Sequence, residues 1–400
     1  MTLARTNLII GSIMTILPVV AGAEPVYQCI TDSTPFAAGA GGQGMIVEST
    51  TSSGGAYFVT YINPGNHALM LKRCDDTRCT SSTEQQLLSD VQTLSTDLDI
   101  SLQQPGNRPV ISVTDNRAPS IGIRLVLCSD EQCSAHSVRE VSNTVGLQAY
   151  IHPTVAVSEG RPHVAYYNRQ LELYSCADFS CPSASLRIAD ATVNSGFYVS
   201  AADYGGAPLF AYTENARTPA ALKLYRCNDA SCASGTLTQI DTLPFLILYT
   251  ELSLRDNAVP VVGFSSFETL GPNHDEHYIY TCANESCSSG LRSPPVAAPG
   301  AIRTTAIGVR SNGHPFATFA SIADASIYFR QCLDQMCANS HVNIVSPYAG
   351  SVAHALTISG DGTAIVLHGA TNGVDIALTR CTQLPEDLFR DGFEQIQSIE

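Results

Sequence analysis

The residues best able to hold a metal lie in the run Pro272-Asn273-His274-Asp275-Glu276-His277, with two imidazoles and two carboxylates in four consecutive positions. Such groups bind zinc or copper when geometry brings them to one point. An HxxH spacing does that on a helix, whereas this run enters an alternating strand pattern, so no metal and no other cofactor is expected. Carboxylates are the second resource. Asp115, Glu214, Asp275, Glu276, Asp324 and Asp375 fall in candidate loops, and any two facing one cleft would supply acid and base for glycosidic-bond cleavage. Spacing alone selects no pair. There is no GxSxG, no HExxH and no phosphate-cradling glycine loop, so no nucleophile motif marks a catalytic residue.

Cysteine carries the organisation. The chain has 14 Cys in 400 residues, more than a reducing cytosol favours. Twelve form six CxxxxC pairs: Cys74/Cys79, Cys128/Cys133, Cys176/Cys181, Cys227/Cys232, Cys282/Cys287 and Cys332/Cys337. A short-spaced pair can be half of a zinc site, but zinc knuckles place a second pair close by, and these pairs are well separated, so local disulfides fit better. The first members advance by 54, 48, 51, 55 and 50 residues, and a further 49 reaches Cys381, giving seven units of similar length.

Each unit repeats the same strand pattern. Apolar residues stand three and five places before the first Cys, as in Leu71 and Leu69 or Leu224 and Leu222, and only the fifth unit departs, with His277 in the outer place. That period of two describes a strand with one buried face. Upstream, a second strand opens on Pro and runs to an aromatic, as in Pro162-His163-Val164-Ala165-Tyr166 and Pro208-Leu209-Phe210-Ala211-Tyr212, where Pro at the first residue sacrifices no ladder bond. Turn residues such as Glu159-Gly160 and Asn312-Gly313 join it to a preceding strand, and a weaker segment after the second Cys makes a fourth. Four strands in about 50 residues, without helical periodicity, predict an all-β, seven-bladed β-propeller of four-stranded antiparallel blades.

The units resemble a repeat of secreted bacterial β-propellers of largely unassigned function, in which G-x-P-h-h-x-Y leads to L-x-h-x-x-C-x-D-x-x-C, with h apolar. The resemblance covers about residues 50 to 381 and implies the fold; it says almost nothing about substrate. The turn Ser359-Gly360-Asp361-Gly362-Thr363 is faintly similar to the one repeated in sialidase-type propellers, but its glycine falls one place early and the Trp is absent.

The seventh unit ends soon after Cys381, and Val26-Tyr27-Gln28-Cys29-Ile30 can supply what it lacks. The ring is expected to close by this N-terminal strand completing the last blade, with Cys29 bonded to Cys381. Within the CxxxxC turns, Asp76, Asp130, Asp178, Asp229, Asn284 and Asp334 hold one position. They are expected to satisfy backbone N–H groups and to tolerate left-handed dihedrals rather than to bind calcium, which wants six to eight oxygens. Asn284-Glu285-Ser286 also matches a glycosylation sequon, read here as chance.

Residues 1–23 have the layout of a signal peptide, with Arg5, an apolar stretch and Ala21-Gly22-Ala23 at the end, so a propeller over 24–384 and a tail over 385–400 are expected. No small residues precede Cys29, which argues against a lipid anchor, and no later segment is long enough to span a bilayer. The expected product is monomeric and secreted, extracellular or periplasmic. In the tail, Asp387 to Glu394 resemble a short C-terminal motif of exported gammaproteobacterial proteins. A formal charge of -15 argues against nucleic acid and anionic membrane as partners.

In a propeller the loops between second and third strands share one face with the connections between blades, opposite the CxxxxC turns, and binding is expected there. Tyr61, Tyr166, Tyr212, Phe264, Phe319 and His368 stand at equivalent strand ends near that face and are the candidates to line its mouth, although packing of blade on blade would demand the same repetition. The leading expectation is a scaffold that binds an unknown protein or glycan through this face. The alternative is a polysaccharide hydrolase or lyase. An enzyme should gather carboxylates or His with perturbed titration at the mouth, whereas a scaffold should present an apolar or aromatic patch without them.

Overall fold

A computed structural model describes residues 27–383, apart from 33, 40–46, 53–54, 64, 90, 92–97, 116–120, 146–151, 216–217, 256–257, 268–274, 301, 348–353 and 360. The leader, the tail and His274 thus lie outside the described residues. Within them the chain forms seven antiparallel sheets and no helix. The innermost strand of each blade packs on that of the next, and the strand of the first blade at Val47–Thr51 meets that of the seventh at His354–Ile358, so the ring is closed. This is a seven-bladed β-propeller.

Blade 3 shows how sequence makes a blade. Its strands Thr154–Ser158, Arg161–Tyr167, Leu171–Cys176 and Ala184–Asp190 lie side by side in chain order. Glu159 and Gly160 both take positive φ, 48° and 72°, which is the two-residue hairpin turn whose twist matches the flanking strands. The two inner strands are buried almost throughout because blades cover both their faces, while the outermost is largely exposed. In blade 5 the outermost strand is split into Gly290–Arg292 and Val296–Ala297, since Pro294 and Pro295 cannot donate to the ladder.

The core lies between blades rather than within any one. Val59 and Tyr61 of blade 1 pack with Ile365 and Leu367 of blade 7, and Leu222 and Leu224 of blade 4 with Val262 and Phe264 of blade 5. Each blade therefore buries its faces only when its neighbours are present.

All fourteen described cysteines are paired as disulfides. Six bonds are local, joining Cys74 to Cys79, Cys128 to Cys133, Cys176 to Cys181, Cys227 to Cys232, Cys282 to Cys287 and Cys332 to Cys337, and the seventh joins Cys29 to Cys381. In the local turns Asp76 Oδ1 accepts the N–H groups of Arg78 and Thr80, and Asp130 Oδ1 those of Gln132 and Ser134. Those turn carboxylates are occupied by their own loops, as expected.

The left-handed dihedral, however, does not fall on the Asp or Asn, and this corrects the sequence expectation. It falls on the second cysteine of every turn: Cys79, Cys133, Cys181, Cys232, Cys287 and Cys337 all take φ of 50–56°. The N–H of that cysteine donates back to the carbonyl of the Asp or Asn three residues earlier, as in Cys133 to Asp130, Cys181 to Asp178, Cys232 to Asp229 and Cys287 to Asn284. The chain must then reverse at the cysteine to start the fourth strand, which puts the positive φ there. Side-chain acceptance by Asp or Asn fixes the start of the loop, and the disulfide holds its strained end.

Closure follows the expected route. Tyr27–Thr31 occupies the outermost place of blade 7 beside Ile376–Gln383. Asp32 N–H donates to Leu378 O at 2.9 Å, Phe36 N–H to Ile376 O at 2.8 Å, and Arg380 pairs with Asp32 at 2.8 Å. Seven disulfides fit a compartment outside the reducing cytoplasm, and no helix among the described residues is long and apolar enough to cross a membrane.

Candidate functional site: the axial cavity

The innermost strands run from the between-blade connections toward the hairpin turns, so their N-terminal halves lie toward the face opposite the disulfides. There a cavity of about 120 Å³ is lined by the leading ends of six blades, including Asp99, His152, Tyr198, Tyr249, Glu251 and His354.

Two of these side chains owe their direction to equivalent irregularities. In blade 4 the register with the second strand shifts between Phe197 and Ser200, and in blade 5 between Leu248 and Glu251. Each is a bulge with one extra residue, and each contains a tyrosine in the left-handed region, Tyr198 at 48° and Tyr249 at 52°. For a bulky side chain that backbone costs about 1–3 kcal/mol, and such cost recurs where side chains are aimed at a site. The bulges turn the rings into an arc. Tyr198 lies 4.6 Å from His152 and 4.8 Å from Tyr249, centroid to centroid. Blade 4 reaches its bulge through Gly196, whose φ is 98° and where a Cβ would sit 2.9 Å from Leu171 Cα. Gly196→Ala is therefore expected to destabilise the fold by about 2–3 kcal/mol, read as a lower denaturant midpoint with unchanged slope. An unchanged midpoint would show that the strand can relax around a side chain.

The carboxylates are Asp99 of blade 2 and Glu251 of blade 5, from blades three apart in the ring. Asp99 Oδ1 accepts the Ile100 N–H at 2.7 Å, and Oδ2 accepts Thr154 Oγ1 at 2.6 Å and the Val155 N–H at 2.8 Å. A carboxylate has about four acceptor sites, so this network fixes its position and leaves about one free. Loss of water nevertheless outweighs these bonds and raises Asp99 to about 6. Among the described residues Glu251 accepts one bond, from Ser200 Oγ at 3.0 Å, and Ser200 Oγ accepts the Leu252 N–H. Desolvation, then the charge of Asp99, push Glu251 up to about 8. The two carboxyls titrate as a pair, with Glu251 the one held protonated to higher pH. Desolvation also lowers His152 to about 4, keeping its ring neutral. His354 Nδ1 lies 2.5 Å from Thr304 Oγ1.

The residues singled out from sequence sit elsewhere. Tyr61, Tyr166, Tyr212, Phe264, Phe319 and His368 are at most 3% exposed, and none lines the cavity. They stand on second strands, whose faces neighbouring blades cover, whereas the axis is faced by first strands. Tyr61 donates to Glu84, Tyr212 to Asp190, and His368 is held by Thr379 and the Gly369 carbonyl. Glu214 pairs with Lys223, Asp115 with Arg124, Asp275 accepts the Ile302 N–H, and Asp375 the Gly39 N–H. Glu276 and Asp324 accept the hydroxyls of Tyr278 and Tyr328. His277 is buried with its ring stacked 4.6 Å from Phe319, and no group of three or more metal-ligating side chains occurs among the described residues. Asp99, Glu251, Tyr198 and Tyr249 stand on first strands, away from the loops and second-strand ends to which the sequence pattern points. One signal was available: Tyr198-Val199-Ser200 and Tyr249-Thr250-Glu251 stand 51 residues apart, about one repeat length.

No family model matches the chain, and no curated protein sequence does. Solved structures do. An α-L-arabinanase of Penicillium chrysogenum complexed with arabinobiose matches with a TM-score of 0.50 at 11% identity, over 89% of this chain and 98% of that one. The polysaccharide lyase Uly1 matches with 0.50 at 8%, over 90% and 100%. A puromycin hydrolase variant matches with 0.51 at 10%, over 82% and 50%. At such identities these similarities concern the fold.

Proposed function

We propose that the protein hydrolyses glycosidic bonds, with Glu251 as acid and Asp99 as base. One observation carries this: two carboxylates on the propeller axis whose surroundings separate their protonation at neutral pH. Protonated Glu251 gives its proton to the glycosidic oxygen as the bond to the anomeric carbon breaks. Water adds its oxygen to that carbon, and its proton passes to the remaining acceptor site of Asp99. An arabinanase and a polysaccharide lyase are among the solved structures of similar fold, which supports a glycan as the first substrate class to try. Hydrolysis is favoured over elimination, because elimination acts on uronates and their carboxylate would meet these two acids.

The test is product analysis over a panel of neutral oligosaccharides and polysaccharides, followed by pH dependence on whichever is cut. Asp99 must be ionised and Glu251 protonated, so kcat/KM should rise through about pH 6 and fall through about pH 8. Asp99→Asn should abolish the acidic limb together with most of the activity. Absence of turnover on the whole panel, with glycan binding retained, would return the protein to the binding-scaffold expectation.

A further inference from the structure

The arc of rings carries a more specific statement about the substrate. Resting on the hydrolase proposal for the same cavity, we infer that Tyr249, Tyr198 and His152 form a stacking platform for the terminal ring of a neutral glycan, with Thr250 and Thr305 as its hydroxyl partners. Three observations converge. The rings form a continuous arc along the cavity wall, and two of them are placed by strained bulges at equivalent positions of blades 4 and 5. A sugar ring has an apolar C–H face that stacks on such a surface and an equatorial belt of hydroxyls.

Thr250 and Thr305 line the same cavity, and their buried hydroxyls have no hydrogen-bond partner among the described residues. A buried hydroxyl is rarely left so unless something else completes it. Sugar hydroxyls, which both donate and accept, suit these threonines whichever way they are oriented. Thr305 is in blade 6 and Thr250 in blade 5, so together they would read two positions of one ring.

Size and charge set the rest. A space of about 120 Å³ admits at most one sugar ring and leaves no room for a chain passing through. Hence a terminal unit enters and the remainder of the glycan lies outside. Asp99 and Glu251 face that ring, and the chain carries a net charge of -15, so a uronate or sulfated sugar would be repelled where a neutral one is not.

Binding can be measured without turnover. Calorimetry or saturation-transfer NMR on the Glu251→Gln protein, using methyl pentosides, methyl hexosides and methyl glucuronide at millimolar concentration, supplies the probes. At least one neutral glycoside should bind and the glucuronide should not. Tyr249→Asn removes the ring while suiting the left-handed backbone, and should weaken binding by about 10-fold, whereas Tyr249→Phe should retain it. A thermal melt of each variant separates lost stacking from lost folding; if Tyr249→Asn melts early, Thr250→Val and Thr305→Val serve instead and should each weaken binding several-fold. Tighter binding of the glucuronide, equal binding by the Asn and Phe variants, or no binding of any glycoside would overturn the platform. None of these decides whether Glu251 and Asp99 cleave a glycan, which the panel measures independently.

Discussion

Replacing Glu251 by Gln is expected to lower kcat on a cleaved glycan by about 10²–10⁴-fold with little change in KM, the range that loss of a positioned general acid produces. Gln keeps the shape of the side chain and can still meet Ser200 Oγ, which bonds to Glu251 at 3.0 Å, so the bulge should survive. What it lacks is a transferable proton. Substrates whose leaving group needs no protonation, such as activated aryl glycosides, should be affected far less. Equal losses on both kinds of substrate would remove Glu251 from the role of acid. A second readout does not depend on turnover. The folded-state value of Glu251, about 8, lies above its ordinary 4.5, so the group's contribution to stability is fully present below pH 4.5 and is lost as pH rises through about 8. The melting temperature of the Gln variant relative to wild type should therefore increase between about pH 4.5 and pH 8. A flat difference would mean that the carboxyl ionises as it does in water.

The second large effect concerns closure. Converting both Cys29 and Cys381 to Ser is expected to destabilise the propeller on the order of 5 kcal/mol, about 10 °C in Tm, against about 2 kcal/mol for any one of the six local pairs. The difference lies in the unfolded chain. A bond spanning 352 positions removes far more conformational freedom than one spanning 5. In the folded state the strand retains its hydrogen bonds, among them Asp32 N–H to Leu378 O and Arg380 to Asp32, so the variant should fold and open first at blade 7. Hydrogen exchange would then be fastest in Tyr27–Thr31 and Ile376–Gln383. If the closure variant melts no lower than the Cys74/Cys79 variant, strand pairing rather than the covalent link holds the ring.

Blade number, strand order and closure were all legible in the chain because they rest on local periodicities. The cysteine spacing marks every third strand, the Pro-to-aromatic run marks every second, and a leftover cysteine at each end of the repeat has only the other to meet. Those patterns arise from burial on one or two faces and from tight turns, which act over a few residues and recur in every unit. The aromatic at the end of each second strand illustrates the limit. From sequence, Tyr166 or Phe264 could face either a ligand or the adjacent blade, and only the packing of one blade on another shows that the ring is covered.

The axial cavity could not be read in that way. Asp99 and Glu251 are 152 positions apart in the chain and line one cavity because their two inner strands, separated by two blades, both face the axis. Their protonation depends on how much water the other blades exclude, a property of the closed ring and of no segment within it. Tyr198 and Tyr249 reach the same cavity through bulges that no propensity favours, since an aromatic residue in the left-handed region is held there only by its surroundings. The chain by itself thus determined the scaffold through short-range repetition, while the chemistry waited on long-range convergence, because desolvation and proximity across the axis exist only once the seventh blade has met the first.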